Sequence, residues 1–252
     1  LTSADRAKVE AIGCGPGIEY TWLINDQPIP AENGDILSST FFVKEDNLSV
    51  QVLCAGKLEK LTVRVANTPP TVSRVMFDNP AVTSGRAITV LPEAEDLDGD
   101  TVEYSFFWKV DGELVSEIEG PTLPGTYVQR GRSIGVSVIP SDVETEGASF
   151  EGQAFIVPNS PPRFVSRPPA SFQTNDYRYQ VRGDDPDGDP LSFRLEEGPT
   201  GMSIDPLTGL LSWQVGSSVS GEKIISILIT DPEGLQARQQ YTINLSVPES
   251  TE

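Results

Sequence analysis

The sequence predicts an all-β fold in which three β-sandwiches follow one another along an elongated rod. The first observation is that 22 glycines and 21 prolines are spread over the 252 residues, and this spacing indicates frequent turns. The second is that Val, Ile, Thr, Tyr and Phe fill the intervals between the turns, as they do in short β-strands. Many short strands joined by frequent turns are typical of β-sandwiches.

A repeated tetrapeptide predicts where one sandwich ends and the next begins. Asn67-Thr68-Pro69-Pro70 and Asn159-Ser160-Pro161-Pro162 share the form N-[TS]-P-P and begin 92 residues apart. Because proline fixes φ and cannot donate to a β-ladder, each tetrapeptide should end one module and stiffen the junction. We therefore expect modules at residues 1–66, 67–158 and 159–252.

The modules also repeat one another in sequence. Trp22 of the first module and Trp108 of the second lie 86 residues apart, and strand-like segments flank both. The third module is the more divergent copy, with Tyr177, Tyr179 and Val181 alternating before its acidic loop. Alternation of this kind buries one face of each strand, so we expect the tryptophans to pack in the cores.

Two acidic loops of the form D-x-D-G-D predict calcium binding in the second and third modules. Each lies between the second and third strands, and its glycine lets the backbone fold round a small ion. Calcium takes six to eight oxygens, so we expect a later loop at the same end of the sandwich to add carboxylates, with Glu144 or Glu233 nearby. The predicted ligands are Asp96, Asp98, Asp100 and Asp142, and Asp185, Asp187, Asp189 and Asp231.

The linkers are expected to lie beside these loops. Asn67 and Asn159 could therefore each contribute an oxygen to the ion. The loops do not match an EF-hand, because glycine stands at the fourth position and no flanking helix is indicated. The alternative is that Asp and Gly favour turns and that the loops are solvated hairpins without an ion.

Two cysteines replace these acidic residues in the first module. Cys14 stands where the other modules carry D-x-D-G-D, and Cys54 where they carry Asp142 or Asp231. We expect a Cys14–Cys54 disulfide at the end of the sandwich, which implies an oxidising compartment. Closing a loop of about 40 residues would contribute roughly 3–4 kcal/mol through chain entropy. Two buried free thiols are the alternative.

The first module has no counterpart of the opening strand expected near Thr71 to Phe77 of the second. Leu1-Thr2-Ser3 aligns instead with Val82-Thr83-Ser84. Its sheet should therefore have an open edge that invites strand addition by a protein partner or by self-assembly. The gap arises either from where the chain has been cut or from a neighbouring subunit that donates the strand.

Three motifs of the third module resemble a known domain family. They occur in the order Asp185-Pro186-Asp187-Gly188-Asp189-Pro190-Leu191, Gly201-Met202-Ser203-Ile204-Asp205 and Thr208-Gly209-Leu210-Leu211-Ser212-Trp213. Over residues 163–247 this order resembles the Ig/dystroglycan-type cadherin-like domain of bacterial surface proteins. The first two modules resemble the tandem Ig-like repeats of bacterial extracellular proteins. The resemblance implies three tandem immunoglobulin/cadherin-like β-sandwiches whose joints are stiffened by calcium.

Charge and residue content argue against several functions. The balance of 18 basic and 37 acidic residues gives a net charge of −19, which disfavours nucleic acid and anionic lipid as partners. The sequence has no histidine, so the commonest general base, the Ser-His-Asp triad and most zinc sites are missing. No apolar run is long enough to predict a membrane span. No signal peptide is recognised, so we expect either a mature form or a part cut from a longer chain.

These features predict a structural or adhesive protein and not an enzyme. The expected role is a calcium-stiffened rod that acts as a spacer or assembly subunit of a bacterial surface structure. The expected location is extracellular or at the cell surface, with the periplasm as another option. The alternative is a ligand-binding module that recognises a glycan or a protein partner through exposed aromatic residues.

Overall fold

The computed structural model describes residues 1–15, 17–169, 175–216 and 219–245. Pro16 of the first module and residues 246–252 of the predicted third module lie outside the described residues. Within the described ranges the regular elements are β-strands, together with two single-turn 3-10 helices at Ser39–Phe41 and Gly125–Tyr127. No helix in these ranges is long and apolar enough to cross a membrane.

The first module has two sheets around a core that includes Trp22, Leu37 and Leu48. Four strands pair in the antiparallel order β3-β2-β5-β6, and β1 pairs with β4. The strands are β1 (Ala7–Lys8), β2 (Glu19–Ile24), β3 (Gln27–Pro28), β4 (Ile36–Leu37), β5 (Asn47–Cys54) and β6 (Lys57–Arg64).

The second module repeats this plan with an additional strand at its start. One sheet has the order β11-β8-β7, and the other has β10-β9-β12-β13 with β14 also on β12. The core includes Trp108, Leu123 and Ile134. The strands are β7 (Thr71–Phe77), β8 (Ile88–Glu95), β9 (Glu103–Val110), β10 (Glu113–Leu114), β11 (Thr122–Leu123), β12 (Ser133–Ser141), β13 (Phe150–Glu151) and β14 (Phe155–Ile156).

The third module has sheets in the orders β16-β20-β19 and β18-β21-β22, with β15 paired to β17. Tyr177 and Tyr179 alternate into its core, as predicted, and meet Leu211 and Ile227 there. The strands are β15 (Arg163–Phe164), β16 (Asp176–Gln180), β17 (Gly183–Asp184), β18 (Ser192–Glu197), β19 (Ser203–Ile204), β20 (Leu210–Gln214), β21 (Gly221–Thr230) and β22 (Gln236–Leu245).

The three tryptophans are core residues, which confirms that prediction. Trp22, Trp108 and Trp213 are each at most 3% exposed. The indole N–H of Trp22 donates to the carbonyl of Gly34 at 2.8 Å, and that of Trp108 donates to Gly120 at 3.1 Å. Both partners lie 12 residues after their tryptophan, so the first two modules share this local structure.

Three hydrophobic cores confirm the all-β, tandem-sandwich fold class. Their buried members run from residue 7 to 65, from 88 to 157 and from 177 to 243. The boundaries expected after residues 66 and 158 fall between these cores and stay predictions.

The first module contains the expected disulfide. Cys14 is bonded to Cys54, 40 residues later, with a Cα–Cα distance of 5.8 Å. Cys54 is the last residue of β5, so the bridge lies at the end of the sandwich.

Within its described residues, the first module has no strand in the position that β7 occupies in the second. In the second module β8 lies between β7 and β11. The counterpart of β8 is β1, since Ala7 pairs with Leu37 as Ile88 pairs with Leu123. Among the described residues β1 has β4 as its only strand neighbour, so its other edge is unpaired.

Candidate metal centres between the modules

The acidic loop of the second module folds round the side chain of Asp96, directly after β8. Asp96 Oδ1 accepts the backbone N–H groups of Asp98 at 2.8 Å and Asp100 at 3.2 Å. Gly99 has a φ of 79°, a conformation that glycine adopts without steric cost. The other oxygen, Asp96 Oδ2, is buried and has no hydrogen-bond partner.

Asp142 comes from the loop after β12 and joins the acidic loop. Carboxylate oxygens of Asp96, Asp100 and Asp142 lie within 4.8 Å of one another. Asp142 Oδ1 accepts two backbone N–H groups of its own loop at 2.6 and 2.7 Å, and Oδ2 accepts Nδ2 of Asn67 at 2.7 Å. The hydrogen bond from Asn67 is the main cause that lowers the pKa of Asp142, so this carboxylate is charged at neutral pH.

The linker and the first module hold the remaining loop carboxylate, that of Asp98. The backbone N–H of Thr68 donates to Asp98 Oδ2 at 2.6 Å, and the hydroxyl of Ser3 donates to Oδ1. Both oxygens of Asp98 therefore accept a hydrogen bond, one from the first module and one from the linker. In contrast, Oδ1 of Asn67 is buried and has no hydrogen-bond partner.

A lysine of the first module enters this acidic cluster. Lys44 Nζ lies 2.7 Å from Asp100 Oδ2 and 2.6 Å from Glu144 Oε1, and its side chain is 18% exposed. These two hydrogen bonds raise the pKa of Lys44, so it remains an ammonium ion. The cluster therefore joins the first module to the second through an ion pair as well as through the linker.

The third module builds the same loop round Asp185, directly after β17. Oxygens of Asp185, Asp187 and Asp189 lie within 4.8 Å of one another. Asp185 Oδ1 accepts the N–H of Asp187 at 2.8 Å, and Gly188 has a φ of 80°. Asp185 is only 6% exposed. Asp185 Oδ2 and Asp187 Oδ1 are buried without a hydrogen-bond partner.

The linker of the third module repeats the contacts of the first linker. The backbone N–H of Ser160 donates to Asp187 Oδ2 at 2.7 Å, as Thr68 does to Asp98. Asn159 Nδ2 donates to Asp231 Oδ2 at 2.7 Å. The backbone N–H of Leu235 donates to Asp231 Oδ1 at 2.8 Å. Both oxygens of the buried Asp231 therefore accept a hydrogen bond, and Asp231 does not belong to the group of three carboxylates whose oxygens lie within 4.8 Å of one another.

Arg130 of the second module takes the place that Lys44 has at the first junction. Its Nη1 lies 2.5 Å from Asp189 Oδ2, 3.0 Å from Glu233 Oε2 and 2.7 Å from Asn159 Oδ1. The hydrogen bond to Asp189 is the main cause that raises the pKa of Arg130. Sequence reasoning missed both basic residues. The signal was present, since Lys44 and Arg130 are 86 residues apart, like Trp22 and Trp108.

The donor set of both centres suits a hard divalent cation. Carboxylate and amide oxygens are the ligands that calcium prefers, and the unpartnered oxygens are of these two kinds. At the first junction Asp96, Asp100, Asp142 and Asn67 would hold the ion. At the second, Asp185, Asp187 and Asp189 would do so. The residues named at either centre include no histidine or cysteine, so the set does not suit zinc.

Comparison with known proteins finds a family model that is similar to the third module. The family model described as "Putative Ig domain" matches residues 157–246, which is less than half of the chain. This match agrees with the Ig-like part of the resemblance. Bacterial origin and the dystroglycan type stay predictions. No curated protein matches the chain.

Three solved structures that are similar to the chain have low TM-scores. The N-terminal eight Ig domains of Down Syndrome Cell Adhesion Molecule match at 11% identity and TM-score 0.40, over 90% of this chain and 33% of that chain. Protocadherin Gamma B2 extracellular cadherin domains 3–6 match at 14% identity and TM-score 0.32, over 91% of this chain and 68% of that chain. An endo-fucoidan hydrolase of glycoside hydrolase family 107 matches at 13% identity and TM-score 0.30, over 79% of this chain and 33% of that chain. This chain thus spans about a third of the first structure, and the scores carry no functional argument.

Proposed function

We propose that this chain is a structural or adhesive part of an extracellular or cell-surface protein, and that calcium at its two junctions stiffens the array of modules. The role is that of a spacer or assembly subunit, without enzymatic activity. The Cys14–Cys54 disulfide supports an oxidising compartment. A bacterial surface origin is supported by the resemblance of the third module to domains of such proteins.

The observation that supports calcium is the set of buried carboxylate oxygens without hydrogen-bond partners. Asp96 Oδ2, Asp185 Oδ2 and Asp187 Oδ1 are all of this kind. A buried charge without a partner is costly, and a bound cation removes that cost. Because linker, acidic loop and preceding module meet at each centre, an ion there would restrain one module against the next.

Charge balance at each junction supports the same proposal. The first junction brings together five acidic residues and one lysine. The second brings together five acidic residues and one arginine. One cationic side chain leaves a large negative excess in each cluster, which favours uptake of a divalent cation. The acidic residues are Asp96, Asp98, Asp100, Asp142 and Glu144 at the first junction, and Asp185, Asp187, Asp189, Asp231 and Glu233 at the second.

The test is thermal unfolding in calcium and in EDTA. We expect calcium to raise the melting temperature, because an ion that binds only the folded form stabilises it by about 2.7 kcal/mol at a concentration of 100 times Kd. Asp185→Asn should remove the part of this gain that belongs to the third module. Glu197→Gln, which removes an exposed charge from β18 of the same module, is the matched control and should keep the full gain.

The calcium proposal fails if the wild-type protein melts at the same temperature in calcium and in EDTA. It also fails if Asp185→Asn and Glu197→Gln show the same calcium gain. Magnesium at equal concentration controls for screening of the net charge of −19. It screens charge as calcium does, but it demands a stricter octahedral geometry when it binds.

Glycan recognition receives no support from the tryptophans. All three lie in the cores, where they cannot stack on a sugar ring. The described structure therefore favours the structural role, and the glycan alternative stays a prediction without a site.

A further inference from the structure

The basic residue at the second junction holds several oxygens of its acidic cluster at once. Both oxygens of Asp189 accept from Arg130, one from Nη1 at 2.5 Å and the other from Nη2 at 3.2 Å. The same Nη1 also lies 2.7 Å from Oδ1 of Asn159 and 3.0 Å from Oε2 of Glu233. One guanidinium group therefore engages a whole clustered carboxylate together with the amide oxygen of the linker.

The basic residue at the first junction engages fewer oxygens. Lys44 Nζ contacts one oxygen of Asp100 and one of Glu144. Among the described residues, Oδ1 of Asn67 is buried and has no hydrogen-bond partner, so Lys44 does not hold it. The linker amide oxygen is thus free at the first junction, whereas its counterpart at the second is bound to a cationic side chain.

This difference decides which oxygens each junction can offer to a cation without rearrangement. Calcium takes six to eight oxygens. At the second junction Asp185 is 6% exposed, and its Oδ2 is buried without a hydrogen-bond partner, as is Oδ1 of Asp187. The third clustered carboxylate, that of Asp189, is held by Arg130. A guanidinium and a divalent cation repel each other strongly at such short range, so they compete for its oxygens.

We propose that Arg130 competes with calcium at the second junction and makes this site the weaker of the two. The inference rests on the calcium binding proposed above and adds the residue that sets the affinity. Arg130 must leave Asp189 and Asn159 before their oxygens can face an ion, and the loss of these ion pairs and hydrogen bonds reduces the net gain from binding. Lys44 has only one contact to each of two carboxylates to release. The first junction therefore fills at a lower calcium concentration than the second.

Removal of Arg130 should leave the ligands of the second junction in place. The three clustered carboxylates belong to one loop of the third module, and Asp185 Oδ1 accepts the N–H of Asp187 within that loop at 2.8 Å. The linker stays attached through the N–H of Ser160, which donates to Asp187 Oδ2 at 2.7 Å. Loss of the arginine thus frees oxygens without dismantling the loop, and the calcium affinity should rise.

The test is calcium titration of the full chain by isothermal calorimetry, with one junction disabled at a time. Asp96→Asn leaves the second junction intact, and Asp185→Asn leaves the first. In both variants the asparagine keeps an oxygen for the N–H groups of the loop and replaces the oxygen that has no partner. We expect the Kd of the second junction to be at least about tenfold higher than that of the first.

The decisive variant is Arg130→Met in the background that keeps only the second junction. Its Kd for calcium should fall at least about tenfold. Arg132→Met is the matched control, because it removes the same charge two residues away from a side chain whose ion pair is with Asp111 at 3.5 Å. This control should change the Kd much less, through net charge alone. Lys44→Met in the other background should lower the Kd of the first junction by a smaller factor than Arg130→Met lowers that of the second.

Two results would overturn the inference and leave the proposed function standing. One is an equal Kd at the two junctions, and the other is an equal change in Kd for Arg130→Met and Arg132→Met, which would reduce the effect to net charge. A different result would overturn the calcium proposal and this inference together. In that case neither background, with or without Arg130→Met, would show calcium heat or a calcium-dependent rise in melting temperature.

Discussion

Two tyrosine hydroxyls give the third core a defined response to alkaline pH. Tyr177 Oη lies 3.0 Å from Tyr241 Oη. Burial is the main cause that raises the pKa of each hydroxyl. The folded form therefore holds these protons more tightly than the unfolded chain, in which tyrosine titrates near pH 10. Their contribution to stability is complete below about pH 10 and is lost as the pH rises through the folded-state values.

Substitution of Tyr241 by Phe should reduce this alkaline loss of stability. With one raised pKa removed, the free energy of unfolding of the third module should fall less steeply above about pH 10. The measurement is denaturant unfolding between about pH 8 and 11, with tyrosinate absorbance as a second readout. Tyr20→Phe in the first module changes the same residue type away from the pair and should follow the wild type. Identical slopes for the two variants would contradict the assignment.

The acidic residues of the junctions were predictable from sequence, but their partners in the preceding module were not. D-x-D-G-D is a local pattern, so it indicated both loops and the turn that each loop makes. Lys44 meets Asp100 across 56 positions of sequence, and Ser3 meets Asp98 across 95. No local pattern carries such contacts. They depend on how one module docks on the next, and only the constant offset between repeats pointed towards them.

The disulfide should stabilise the first module. Replacing both cysteines by serine should lower the free energy of unfolding of this module by about 3–4 kcal/mol, because the closed loop of 40 residues is released in the unfolded chain. Hydrogen exchange of the β5 amides reports on this module alone. The amides of β12 and β21 are internal controls and should exchange as in the wild type. Unchanged exchange in β5 would show that the bridge has no stabilising effect.

The long strands were easier to predict than the short ones. Alternation over several residues indicated β16, and the N-[TS]-P-P linkers indicated the order of the modules. Strands of two residues, such as β1 and β4, are too short to show a period, and their pairing depends on the rest of the sheet. The open edge could be predicted from a missing segment. The exposure of Leu61 and Val63 of β6, 58% and 42%, could not be predicted, because it depends on which face of β6 meets the core.

The array as a whole is joined by one basic residue at each junction. Lys44 and Arg130 extend from one module onto the acidic loop of the next. Replacing both by methionine should loosen the junctions in EDTA, because the ion pairs that cross each junction are then lost. Small-angle scattering should show a wider distribution of inter-module distances, and calcium should narrow it again.

A charge-matched control separates the loss of the ion pairs between modules from the change in net charge. Lys109→Met with Arg132→Met removes two positive charges from exposed positions outside the junctions. Lys109 Nζ lies 3.7 Å from a carboxylate oxygen of Glu151, and Arg132 Nε lies 3.5 Å from one of Asp111. This control should scatter like the wild type in EDTA. If the two double variants scatter alike, the basic residues do not join the modules.

The cross-link also sets how the chain would respond to a pulling force applied at its two ends. Tension would pass directly from Cys14 to Cys54 and bypass the residues between them. A segment of 40 residues, which could otherwise be drawn out to roughly 140 Å, would contribute almost no length. The second and third modules contain no such bridge and could extend fully. Under load, the first module would therefore yield the least length of the three.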